Sequence, residues 1–127
     1  MIHLERRAVD PVQGGAGIRA QIQQVVPELI KQYPVSGIAY GFGGPVNRQT
    51  GRVTISHQIN GWDDFPLVDW TQQTFGTACL LYNDCDAATV AEARLGAGAT
   101  ARLVYFVTVG TGVGGGFTID GQLHASD

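Results

Sequence analysis

A glycine-rich run near the carboxyl end of the chain is the first feature that could do chemistry. Residues 110–115 read Gly-Thr-Gly-Val-Gly-Gly, which satisfies the Gly-x-Gly-x-x-Gly pattern of dinucleotide-binding loops. That pattern needs a following helix, whose amino terminus holds the pyrophosphate, but residues 116–119 predict a strand. A Walker loop is excluded as well, because no Lys-Ser or Lys-Thr pair closes the run. Two interpretations remain: a turn whose backbone N–H groups bind phosphate, or a tight hairpin that needs glycine only for its conformation.

The pair Asn83-Asp84 is the second candidate, because it lies where a predicted strand meets a predicted helix. An aspartate at the start of a helix often caps the free backbone N–H groups there. A carboxylate at the carboxyl end of a strand can instead act as a general base. The residues alone leave both roles of Asp84 open.

Histidine and cysteine predict no further site. His3, His57 and His124 are dispersed without ligand-like spacing, so we expect no metal centre from them. Cys79 and Cys85 do not form a Cys-x-x-Cys pair, and we interpret them as reduced thiols of a cytoplasmic protein. No Gly-x-Ser-x-Gly or Cys–His arrangement indicates a catalytic nucleophile.

Composition restricts the class of protein that these residues can serve. The 127 residues are 44% hydrophobic and 15% charged, with a net charge of −3 and one lysine, Lys31. This balance can build a core, but it provides no basic surface for nucleic acid. The apolar stretches are too short to span a bilayer, and Glu5, Arg6 and Arg7 stand where a signal peptide would be apolar. We therefore expect no nucleic-acid partner and no membrane association.

Hydrophobic periodicity predicts strands alternating with helices, which is typical of an α/β layer fold with parallel strands. We expect strands at residues 2–9, 35–42, 51–55, 77–82, 103–109 and 116–119, and helices after Gly14-Gly15, at 67–74 and at 84–95. In such sheets the ligand crevice lies beyond the carboxyl ends of the strands, where the Gly43-Gly44 pair, the Asn83-Asp84 pair and the 110–116 run fall.

Two finer expectations concern the helices. Asp64 is expected to cap the helix at residues 67–74. The third helix is expected to turn one set of apolar residues inward, namely Ala87, Val90, Ala91 and Leu95.

Four motifs follow one another in a fixed order. They are Gly43-Gly44-Pro45-Val46-Asn47; Gly61-Trp62; Asn83-Asp84-Cys85-Asp86-Ala87-Ala88 with Ala91-Glu92; and the run from Gly110 to Gly116 with Ile119-Asp120-Gly121. In order and spacing, over about residues 37 to 123, they resemble the ROK family of repressors, open reading frames and bacterial glucokinase-type sugar kinases.

The resemblance implies an actin-like ATPase fold, with a ribonuclease-H-like sheet in each of two lobes and a cleft between them. It implies transfer of the γ-phosphoryl group of ATP, with Mg²⁺, to a hydroxyl of a glucose-like hexose. Asp84 would take the proton of the attacking hydroxyl, and the sugar would lie against Gly44, His57 and Asn83. The phosphates would lie against the glycine run, at Gly110, Thr111, Gly112, Gly114 and Gly115.

The resemblance also implies that the fold is incomplete here. Residues 1–100 would form most of the amino-terminal lobe, and residues 101–127 would begin the second lobe with its phosphate hairpin. The family's first phosphate loop, Asp-x-Gly-Gly-Thr, and its distal sugar segment, Glu-x-Gly-His, are not among these residues. We therefore expect this fragment to be inactive alone, to bind no cofactor tightly, and to form homo-oligomers through unpaired strand edges. The alternative is a regulator of the same family that binds sugar without turnover.

Overall fold

The computed structural model describes residues 2–110 and 112–124, so Thr111, a predicted phosphate-binding residue, lies outside the described residues. The helices are α1 (Gly14–Gln32), α2 (Leu67–Phe75) and α3 (Asp84–Leu95). The strands are β1 (Ile38–Phe42), β2 (Val46–Asn47), β3 (Arg52–Val53), β4 (Cys79–Asn83), β5 (Leu103–Val109), β6 (Val113–Ile119) and β7 (Gln122–Leu123). Within these ranges no helix combines the length and the apolar character that a bilayer crossing requires.

Strands β1 and β4 pair in parallel, as the alternation of strands and helices predicted. Their register runs from Ile38 opposite Cys79 to Phe42 opposite Asn83. Both strands therefore end at the same level, and the residues that follow them emerge side by side at one edge.

The remaining strands are antiparallel. β2 and β3 form a short hairpin, and β5, β6 and β7 form a three-stranded sheet in that order. The pairing of β5 with β6 extends to Val109 opposite Val113. The predicted glycine connection at 110–116 is thus too long: Gly114, Gly115 and Gly116 belong to β6.

The core lies between the parallel pair and the segments on one face of it. Its buried members are Val53, Trp62, Leu67 and Leu81. The Trp62 ring meets the rings of Phe42 and Phe65 edge-to-face, with centroids 5.4 and 5.5 Å apart. Such aromatic contacts join large buried area to a preferred geometry, and they fix the chain after β3 against the end of β1.

The expected strand at residues 2–9 is wrong. These residues form no regular structure, and Ile2 is 86% exposed. Instead they lie along α1, where Gln21 Nε2 donates to the Ala8 carbonyl at 2.8 Å and Arg7 Nη1 donates to Gln24 Oε1 at 2.9 Å. Alternating polarity is not sufficient for a strand, because the backbone groups of a strand need a neighbouring strand.

Asp64 does not cap α2, contrary to expectation. Pro66 occupies the cap position without a side-chain hydrogen bond, and Asp64 has a φ of 49°. The Asp64 carboxylate instead accepts from Arg52, with 2.6 Å between Nε and Oδ1. This hydrogen bond lowers the pKa of Asp64. A nearby guanidinium thus competes successfully for the carboxylate that local sequence assigned to the helix.

The inward face of α3 also differs from the expected one. Thr89 and Ala93 are the buried residues of the helix, whereas Ala91 and Leu95 are exposed and Ala87 and Val90 are half-buried. Thr89 fits inside because its hydroxyl donates to the Cys85 carbonyl at 2.7 Å, which satisfies its polar atom within the helix.

Leu67 provides a test of the core, because it is 1% exposed whereas Leu95 is 89% exposed. Leu67→Ala should lower the free energy of unfolding by about 2–5 kcal/mol, since it removes buried methyl groups and leaves a cavity. Leu95→Ala is the matched control and should change it by less than about 0.5 kcal/mol. Urea unfolding followed by tryptophan fluorescence measures both, and equal losses would contradict this core.

Candidate functional site

The ends of β1 and β4 bring the two predicted halves of a site together. A Cβ built on Gly41 would lie 3.7 Å from the Asp84 Cα, and one built on Gly43 would lie 3.6 Å from Asp84 Oδ2. The Asp84 carboxylate therefore lies beside the glycine-rich exit of β1. Side chains in place of these glycines would crowd the space in front of it.

Asn83, rather than Asp84, is the N-cap residue of α3. Asn83 Oδ1 accepts from the backbone N–H groups of Cys85 and Asp86, at 3.0 and 3.3 Å. Asp84 is exposed, and its Oδ1 accepts from the Cys85 N–H at 2.9 Å. The Asp84 carboxylate thus keeps one oxygen directed toward Gly43.

The other end of the Asn83 side chain reaches across to β1. Its Nδ2 donates to the carbonyls of Phe42 and Gly44, at 3.3 and 3.0 Å. An amide has two N–H donors and one oxygen with two lone pairs, so all of its hydrogen-bonding capacity is engaged within the chain. A sugar contact from Asn83 would have to replace one of these bonds.

Gly44 links the site to the loop that carries His57. A Cβ on Gly44 would lie 3.1 Å from the Ile55 carbonyl, and the Thr54 N–H donates to the Pro45 carbonyl at 3.0 Å. His57 is exposed and comes two residues after Ile55. The structure thus brings Gly44, Asn83 and Asp84 into contact, and it places His57 on the adjoining loop.

Arg19 holds that loop, and sequence reasoning missed it. Its guanidinium stacks over the Phe65 ring at 4.1 Å and donates to the Gly61 carbonyl at 3.0 Å. The Gly15 N–H donates to the Asn60 carbonyl at 2.7 Å, which joins the start of α1 to the same loop. The paired glycines at residues 14 and 15 were the available signal for this close approach, whereas a lone arginine on a helix gives none.

The glycines of the β5–β6 hairpin fall into two groups. Within the described part of the chain, a Cβ on Gly110 or Gly112 would meet nothing within 4 Å, and the Gly110 N–H closes the turn on the Gly112 carbonyl at 2.8 Å. Gly114 faces the Cys85 thiol, and Gly115 faces the Phe106 carbonyl of the neighbouring strand. Of these four glycines, Gly110 and Gly112 have open space at the Cβ position, whereas Gly114 and Gly115 do not.

Two carboxylates, Asp84 and Asp86, lie in the first turn of α3, where the helix dipole favours negative charge. Burial raises the pKa of Asp86, and the charge of Asp84 adds to this rise while Arg48 opposes it. Burial and then the charge of Asp84 raise the pKa of the Cys85 thiol. The thiol beside the candidate base is therefore neutral at physiological pH.

The described residues contain no group of three or more His, Cys, Asp or Glu side chains placed to hold a metal ion. None of the steps proposed below depends on the Mg²⁺ that the resemblance implies.

Comparison with known proteins gives consistent matches. The profile of the ROK family matches residues 4–126. The beta-glucoside kinase of Listeria monocytogenes is 36% identical over 95 residues, which cover 75% of this chain and 32% of that protein. The glucokinase of Halalkalibacterium halodurans is 34% identical over 116 residues, which cover 87% and 34%.

A solved structure is similar as well. The ROK family glucokinase from Streptomyces griseus, in complex with glucose and AMPPNP, has a TM-score of 0.82 at 30% identity. The match covers 95% of this chain and 38% of that one. These findings confirm the predicted α/β, actin-like ATPase fold, and the chain spans about a third of the length of the curated relatives it matches.

Substitutions at Asn83 separate its two contacts. Asn83→Ser keeps an oxygen that can cap α3 but cannot reach β1, whereas Asn83→Ala loses both contacts. We expect Ser to cost about 1–2 kcal/mol through the lost cross-strand bonds, and Ala to cost about 1 kcal/mol more through the lost cap. Urea unfolding of the two variants measures the difference, and equal stabilities would show that the cap contributes nothing.

Proposed function

This chain belongs to the ROK family, and we propose that it is part of a glucokinase-type sugar kinase, which transfers the γ-phosphoryl group of ATP to a hexose hydroxyl. The observation that carries the proposal is the exposed Asp84 carboxylate beside Gly43, at the joined ends of two parallel strands. Asn83 supplies the helix cap, so Asp84 is available for chemistry.

In the proposed reaction, the hexose hydroxyl oxygen attacks the γ-phosphorus of ATP. Its proton passes to the Asp84 carboxylate, the bond from the γ-phosphorus to the bridging oxygen breaks, and ADP leaves. A positioned base of this kind contributes about 10²–10⁴ in rate. Phosphoryl transfer otherwise depends mainly on positioning and on stabilising charge, which suits a site with few reactive groups.

The hexose would lie against Gly44, Asn83 and His57. The lack of a side chain at Gly43 leaves space next to Asp84 Oδ2, where a Cβ would lie at 3.6 Å. The Asn83 amide lies in this wall, where it holds the Gly44 carbonyl in place.

The phosphates of ATP would lie at the tip of the β5–β6 hairpin. Among the described residues, no atom lies within 4 Å of a Cβ built on Gly110 or Gly112, so a phosphate can approach the backbone there. Thr111 is proposed to contribute to the same tip. Gly114 and Gly115, whose Cβ positions are filled by other atoms, could contribute only through their backbone.

We assign residues 1–100 to one lobe of the kinase and residues 101–127 to the start of the second. The chain matches about a third of its relatives, so residues 1–127 alone would offer only part of the cleft. Holding both reactants together can contribute about 7–11 kcal/mol, and we therefore propose that residues 1–127 alone do not turn over hexose. The kinetic tests accordingly use a full-length ROK protein that carries this segment.

Asp84→Asn tests the base. The variant keeps the shape of the side chain but cannot accept the proton, so kcat should fall by about 10²–10⁴. The KM for hexose should stay within about threefold, because binding needs no proton transfer. A coupled assay of ADP release measures both constants.

Glu28→Gln is the matched control, because it makes the same acid-to-amide change at an exposed position on α1. It should leave kcat unchanged. An Asp84→Asn variant that keeps more than about a tenth of the rate would contradict the assignment of the base. A wild-type protein that binds hexose by calorimetry but releases no ADP would favour the sugar-sensing regulator.

Gly112→Val tests the phosphate site. The new side chain fits the fold, since the position is open, but it blocks approach to the backbone. Loss of one hydrogen bond to a charged phosphate costs about 1.5–3 kcal/mol, so the KM for ATP should rise about tenfold or more. Gly37→Val makes the same change before β1 and should not affect it. An unaltered KM and kcat in Gly112→Val would reduce the turn to a hairpin without a binding role.

A further inference from the structure

Helix α3 packs on β6 at two glycines that occupy one face of the strand. A Cβ built on Gly114 would lie 2.7 Å from the Cys85 Sγ. A Cβ built on Gly116 would overlap the Thr89 hydroxyl and would lie 3.0 Å from the Thr89 Cβ. Real Cβ atoms essentially never approach other atoms closer than 3.0 Å, so a side chain at either position requires the contacted side chain to rotate or α3 and β6 to move apart.

Backbone conformation does not explain these two glycines. Neither Gly114 nor Gly116 has a φ in the left-handed region. Glycine inside a strand is unfavourable by about 0.5–1 kcal/mol, and strands favour β-branched residues. The remaining reason for glycine is the close approach of α3. The glycine run thus contains a tip with open space, at Gly110 and Gly112, and a packed face at residues 114 and 116.

The contact between Cys85 and Gly114 connects the proposed base, Asp84, to the proposed phosphate-binding tip through few residues. Cys85 follows Asp84 directly, and Gly114 lies two residues after Gly112 in the hairpin tip. The Cys85 N–H is fixed by Asn83 Oδ1 and Asp84 Oδ1, at 3.0 and 2.9 Å. The thiol therefore projects from an anchored backbone, so a side chain at residue 114 requires the Cys85 side chain to rotate or the hairpin to move.

On this basis we propose that Gly114 and Gly116 are positioning residues: their missing side chains set the distance between Asp84 and the phosphate-binding tip. The inference rests on the proposed kinase function. A misplacement of about 1 Å can reduce the rate of a positioned reaction about 10²-fold, so the spacing of α3 and β6 should affect kcat more than the binding of either substrate alone.

The test is a double-mutant cycle between residues 114 and 85 in a full-length ROK protein that carries this segment. Gly114→Ala should lower kcat about 10- to 100-fold and leave the KM for hexose within about twofold. Cys85→Ala should keep kcat within about threefold of wild type. The double variant Gly114→Ala/Cys85→Ala should recover most of the lost rate, because the Cys85 Cβ is 4.0 Å from the new Cβ and makes an ordinary contact.

Gly116 supplies a matched contrast. Thr89→Ala should not restore the rate of Gly116→Ala, because the Cβ at residue 89 remains 3.0 Å from the new one. Rescue at residue 114 would support the proposal, and rescue at residue 116 as well would add support. Absence of rescue at residue 114 would overturn it.

Thermal unfolding of residues 1–127 gives a second readout for the same variants. Gly114→Ala should lower Tm, and Cys85→Ala should restore it. If the Tm values show coupling between residues 114 and 85 but Gly114→Ala keeps its kcat, the glycine has a purely structural role and the proposed positioning role is overturned. If neither kcat nor Tm shows coupling between residues 114 and 85, the contact between them is itself contradicted. Failure of the proposed function is distinguishable, because the wild-type protein would then phosphorylate no hexose while the coupling in Tm persisted. That result would also contradict the positioning role of the two glycines.

Discussion

The Asn83 side chain makes four hydrogen bonds that join the ends of two parallel strands to the start of a helix. Its oxygen accepts from the N–H groups of Cys85 and Asp86, and its nitrogen donates to the carbonyls of Phe42 and Gly44. The glycine-rich exit of β1 and the first turn of α3 therefore keep one relative position. This arrangement also fixes the position of Asp84, because Asp84 follows Asn83 directly and its carboxylate lies next to Gly43. The Asp84 backbone is thus positioned by its neighbour, while one oxygen of its carboxylate accepts from the Cys85 N–H.

Glycines lie on both sides of that first turn. Gly41 lies next to the backbone of Asp84, and Gly114 lies next to the side chain of Cys85. Two consecutive helical residues are therefore in close contact with two different strands, one from the parallel pair and one from the antiparallel sheet. A Cβ at Gly41 would make an ordinary contact at 3.7 Å, whereas at Gly114 it would lie 2.7 Å from the Cys85 Sγ. Glycine at residue 114 therefore sets the spacing of α3 and β6 at a cost in strand stability. Within the proposed kinase, this spacing is the separation of the base from the phosphate donor.

The sequence predicted the elements well where a strong local pattern exists, and poorly where a tertiary contact decides. The helix over Asp84–Leu95 and the parallel pairing of the strands before it followed from periodicity. The role of Asp64 could not be predicted, because Arg52 lies twelve residues away and takes its carboxylate. The buried face of α3 was misassigned for a similar reason. Thr89 fits there only because Gly116 provides room, and hydrophobicity alone does not reveal a pocket made by a missing side chain.

The roles of the candidate site residues stay predictions, but the local structure at Asn83-Asp84 shows what the sequence could not decide. Asn83 Oδ1 accepts from the Cys85 and Asp86 N–H groups, so Asn83 caps α3. This cap has an electrostatic consequence. A helix amino terminus ordinarily attracts phosphate, but here an asparagine oxygen and the carboxylates of Asp84 and Asp86 occupy it. Negative phosphates would be repelled there, whereas a neutral sugar hydroxyl would not. Under the proposed function, phosphate would then bind at a second place without carboxylates, and the hairpin end at Gly110 and Gly112 is the place proposed for it.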